Sequence, residues 1–115
     1  MNEKNEALKT ADEYMDNLKS GISSAVEKFQ SGEENSALQI IPLVIDGLQW
    51  IVQVVTLTKD IQKGEIDLFE FNKKLNEVVE AIENEDYVLI GDLFEYEIIP
   101  SLENMHIIIK KSIKS

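Results

Sequence analysis

The 115-residue chain has no cysteine and no arginine, a single histidine and two prolines. Without cysteine there is no disulfide, no thiolate nucleophile and no zinc-finger or iron–sulfur site, so the fold must rest on its apolar core. A single histidine excludes every ligand set or relay that needs two from one chain. Five glycines form no phosphate-cradling loop, and the sequence carries neither a serine nucleophile elbow nor a zinc-protease motif. The eleven basic residues, all lysines, stand against 22 acids and leave a net charge of −11. That balance disfavours nucleic-acid binding, which draws its affinity from clustered cations on phosphates.

What is present is ordinary globular composition, 43% hydrophobic and 29% charged, in a length that suits one domain over residues 1–115. The first residues, Met1 to Glu6, lack the positive start and apolar run of a secretion signal, and a cytoplasmic protein is expected.

Apolar residues recur at steps of three and four through Leu8, Ala11, Met15, Leu18, Ile22, Ala25 and Phe29. This predicts a first helix from about Asn5 to Gln30, closed by Ser31-Gly32. A second seam at Leu38, Ile41, Ile45, Leu48, Val52 and Val55 predicts a helix from about Glu33 to Lys59, closed by Lys63-Gly64-Glu65. It is apolar on its flanks too, so it is expected to be the most buried helix, with a kink or broken turn at Pro42. Residues 37–57 hold one charge, Asp46, but that charge and three glutamines favour a buried helix over a membrane span. Asp67 as N-cap, Glu70 three residues on and Ile66 facing Phe71 spell a capping box with a hydrophobic staple. The third helix follows, with Leu68, Phe71, Leu75, Val78 and Ile82 on one face. Asp86 caps a fourth from Tyr87 to Ser112, whose seam is Ile90, Phe94, Ile98, Leu102, Met105 and Ile109, interrupted by Pro100. Lys110, Lys111 and Lys114 suit its C-terminal dipole.

Short connections between four helices predict an all-α, antiparallel up-and-down four-helix bundle. Ala25-Val26-Glu27 stands ahead of Pro42 much as Ala81-Ile82-Glu83 stands ahead of Pro100, which reads either as two related helical hairpins or as coincidence. Residues 75–109 carry nine acids and no lysine. Such a face is a solubilising surface, a docking face for a basic partner or a mimic of nucleic acid.

Few residues suggest chemistry. Glu103 and His106 have the Glu-x-x-His spacing of di-iron bundles, which need it twice. Here it reads as a surface histidine near a carboxylate, the alternative being a metal site completed by a second chain. Asp46, among Gln39, Gln49 and Gln53, reads as a solvated structural group rather than a desolvated general acid. Trp50 lies near Asp46 on the helical wheel, with Leu43 and Leu57 close by. These four residues are the candidate partner-binding edge, unless Trp50 is simply core.

The segments 41–50 (IPLVIDGLQW) and 86–100 (DYVLIGDLFEYEIIP) resemble a family of small uncharacterised proteins from Gram-positive bacteria, over about the last two-thirds of the chain. The resemblance implies a bacterial, cytoplasmic, helical protein and supplies no activity or site residue. The pair Asp46-Gly47 inside an apolar second helix is also similar to the flagellar export chaperone that holds flagellin's tail, as analogy only. The expectation is therefore a non-enzymatic protein-interaction module, adaptor or chaperone-like, that takes a helix in a groove and needs no cofactor. The alternative is a structural homo-oligomer built on the same apolar edge.

Overall fold

A computed structural model describes residues 3–113; Lys114, expected among the terminal cations, lies outside them. The elements are α1 (Glu3–Gln30), α2 (Glu34–Leu57), a short 3-10 turn (Lys59–Ile61), α3 (Leu68–Glu83), α4 (Tyr87–Leu93), a π turn (Phe94–Ile98) and α5 (Ile99–Ser112). α4, the π turn and α5 run on without a break as the fourth helix. The chain is an all-α, antiparallel four-helix bundle, with no strand among the described residues. At 28 residues α1 is about 42 Å long, which accounts for most of the 47 Å long axis.

The seam of α1 is buried throughout, as its spacing requires, and so is that of the fourth helix. α1 is the central element, packed by α2 on one side and the fourth helix on the other, while α3 packs on the fourth helix. α2 buries eight of its 24 residues, a larger share than the eight of 28 in α1 but slightly less than the nine of 26 in the continuous fourth helix, so it is not the most buried helix that its composition suggests. It is long and apolar enough to cross a membrane; its most apolar 18 residues have a mean hydropathy of 1.8, and only 39% of that stretch is buried. Its buried face is also turned from the expected one: Ala37, Val44 and Ile51 are buried, and Leu38, Ile45 and Val52 only partly. Gly47 falls on the buried face and lets α1 approach closely there. In α3 the same kind of shift buries Ala81 in place of Ile82.

The two prolines behave differently. Pro42 is exposed and α2 stays helical through it, so the lost hydrogen bond falls on the solvent side and no turn is broken. Ahead of Pro100 the fourth helix widens into the π turn, with the Ile99 amide reaching back to the Phe94 carbonyl. The seam spacing demands this. Ile90, Phe94, Ile98 and Leu102 follow at three successive steps of four, which would drift off the face of a 3.6-residue helix; one inserted residue restores the register.

Both aspartate caps form, but the reciprocal half of the Asp67–Glu70 capping box does not, since Glu70 Oε2 is buried without a hydrogen-bond partner. Asp67 accepts from the Glu70 amide at 2.9 Å and Asp86 from the Leu89 amide at 3.2 Å. α2 ends earlier than expected because Thr58 and Gln62 take up its last carbonyls, at 2.7 Å to Val54 and 2.7 Å to Val55. α1 and α3 close with the same pair of backbone hydrogen bonds around a residue of positive φ, Gly32 (81°) in one and Glu85 (53°) in the other.

Candidate functional site

Three of the four residues expected at a partner edge come together. Leu43, Asp46 and Trp50, at steps of three and four on α2, line an open groove of about 460 Å³ with Gly47 and with Thr10 and Tyr14 of α1. Tyr14 meets Trp50 edge to face, ring centroids 5.5 Å apart at 89°, an arrangement aromatic quadrupoles favour. Gly47 forms the floor: a Cβ there would collide with the Tyr14 hydroxyl and press on Leu18 at 3.0 Å. Trp50 is half-buried, neither plain core nor fully open. Leu43 is 71% exposed and Asp46 lies on the surface. Leu57, also exposed, does not line the groove; it sits two turns further along α2.

The opposite flank of α1 corrects the reading of His106. It is not a surface histidine but is 5% exposed, and its partner is Asp12 rather than Glu103. Nε2 lies 2.7 Å from Asp12 Oδ1 and Nδ1 lies 3.0 Å from Lys19 Nζ. An ammonium only donates and a carboxylate only accepts, so Nδ1 takes the bond from Lys19 and the ring proton sits on Nε2 toward Asp12. Lys110 places its ammonium on Asp12 as well, at 2.9 Å. Together the Lys110 hydrogen bond, the largest cause, and that of His106 hold the Asp12 carboxyl below its usual range despite its desolvation. Asp12 in turn raises the Lys110 ammonium above its ordinary value. Both ring nitrogens are taken, which leaves His106 without the free lone pair that a Glu103–His106 metal site needs. Among the described residues no group of three His, Cys, Asp or Glu side chains is placed to hold a metal.

With both flanks described, a family model covers residues 6–108, α1 through most of α5. The chain belongs to the family of the domain of unknown function DUF8042. No curated protein and no solved structure matches it. The site of this DUF8042 chain is thus described by its own residues. Tyr14 and Thr10 were not singled out from sequence, and Gly47 only as half of the Asp46-Gly47 pair, although Tyr14 stands beside the seam residue Met15 and a glycine inside an apolar helix signals a close approach. A second hollow, under the 3-10 turn and the start of α3, leaves Phe69 82% exposed. Phe69 gave no signal because it stands between Leu68 and Phe71, which carry the expected apolar face of the third helix.

Proposed function

We propose that this DUF8042 chain is a non-enzymatic protein-interaction module whose α1/α2 groove receives an apolar helical segment of another protein. The observation that carries the reading is the groove itself, in which exposed Leu43 stands beside the Tyr14–Trp50 pair over an open floor. Aliphatic and aromatic groups clustered at a surface are what partner helices anchor on. Its setting in this reading is the bacterial cytoplasm, without a cofactor. The net charge of −11 opposes both nucleic acid and acidic lipid as partners.

The test is a native mass spectrum of the protein purified gently from its own host, alongside Leu43→Asp. Because Leu43 is exposed, the variant keeps the fold. An added polypeptide mass that Leu43→Asp loses is the expected result. A multiple of 13.1 kDa would instead make the groove a contact between copies of this chain, and a bare monomer in both samples would contradict the reading.

A further inference from the structure

We infer that the segment the groove accepts is a cationic amphipathic helix, with lysines or arginines bordering apolar residues spaced three and four apart. This rests on the interaction-module reading and adds the chemistry of the partner. The first observation is the charge around the groove. On α2, Asp46 stands between Leu43 and Trp50. On α1, Glu6, Thr10 and Glu13 follow at steps of four and three, so an exposed carboxylate stands one turn to either side of the Thr10 that lines the groove. No lysine lines it. An apolar floor with carboxylates on both rims matches one kind of helix, apolar on one face and basic along its edges.

The second observation is spacing. Leu43 and Trp50 are seven residues apart, about 10.5 Å along α2, which is two turns of an occupant presenting apolar side chains at positions i, i+3 or i+4, and i+7. A second copy of this chain fits less well. A two-fold contact sets one surface patch against the same patch of the other copy, and since the charges named here, Asp46, Glu6 and Glu13, are all acidic, it would bring like charges together between molecules that each carry −11.

The experiment is fluorescence anisotropy of the full chain with three labelled synthetic peptides. They share one pattern of leucines and differ in having lysine, glutamine or glutamate at the remaining positions. The lysine peptide is expected to bind, the glutamine peptide about tenfold more weakly, and the glutamate peptide not at all. Asp46→Lys combined with Glu13→Lys should reverse the order with the helical circular-dichroism signal unchanged. Equal binding of all three peptides would overturn the cationic inference and leave the groove reading standing. Binding of none, or lysine-peptide binding that the uncharged Leu43→Ser leaves intact, would overturn both. A concentration-dependent mass that Leu43→Asp abolishes would assign the groove to a second copy and overturn the inference.

Discussion

The two flanks of α1 are built on opposite principles. Toward α5 the helix is tied by a chain of polar contacts, Lys19 to His106 to Asp12 to Lys110, closed around a buried imidazole. Toward α2 it packs through Tyr14 over Gly47 and leaves an open, mainly apolar groove. A buried polar chain tolerates little displacement, because each lost partner leaves a desolvated group unpaired. An apolar contact with an exposed leucine at its rim can accept additional surface at no such cost. The first flank therefore fixes how α1 and the fourth helix register, and the second leaves an apolar surface open.

Substitutions that treat the flanks alike should separate them. Asp12→Ala leaves the Nε2–H of His106 buried without an acceptor and should cost about 1–3 kcal/mol, whereas Asp46→Ala, on the groove, should stay within about 0.5 kcal/mol of the parent. Urea denaturation of both variants measures the contrast, and equal costs would break it. The next effect has the opposite sign. Glu85→Gly relieves a left-handed residue at the end of α3, where α1 already uses Gly32, and should raise stability by about 1 kcal/mol; an unchanged thermal midpoint would show that Glu85 sits there without strain.

The polar flank also responds to pH. Asp12 has a depressed folded-state pKa, so its contribution is present above the unfolded value near 3.8 and is lost as pH falls through the folded value. Lys110 is raised above 10.5, so its contribution is present below that value and is lost as pH rises through the folded one. Stability profiles of the parent and Asp12→Asn should therefore converge at the acid extreme and differ between the two limits. Parallel profiles at every pH would remove the carboxylate from the account. The smallest effect belongs to the exposed Lys4–Asp60 pair at 2.7 Å, which ties the start of α1 to the turn after α2. What Asp60→Asn loses should shrink further as salt is raised.

The same contrast explains what could be read from the sequence. Spacing gave α1, the fourth helix and both aspartate caps, because periodicity and capping are local properties of the chain. It misjudged α2, since apolar composition shows that a helix can be buried without showing how many neighbours cover it. Pro42 and Pro100 looked equivalent, yet only the steps of four before Pro100 signalled an extra residue in a turn. The groove residues on α2 were legible because they share one helix. Tyr14 and the Asp12–His106 pair were not, because their partners lie on other helices, 94 residues away in the case of His106. Asp12 and Lys19 do flank the α1 seam on one side, seven apart, which marks a polar edge without naming what it meets.

Crosslinking from the groove in cells decides whether another polypeptide occupies it. A photo-crosslinking amino acid is placed at position 43 in one sample and at position 107 in another, and irradiated in cells of the native host. Ile107 is 55% exposed on the α5 side and serves as the comparison. A discrete adduct with another polypeptide is expected from position 43 and none from position 107. Equal adducts from both positions, or an adduct from position 107 alone, would contradict it.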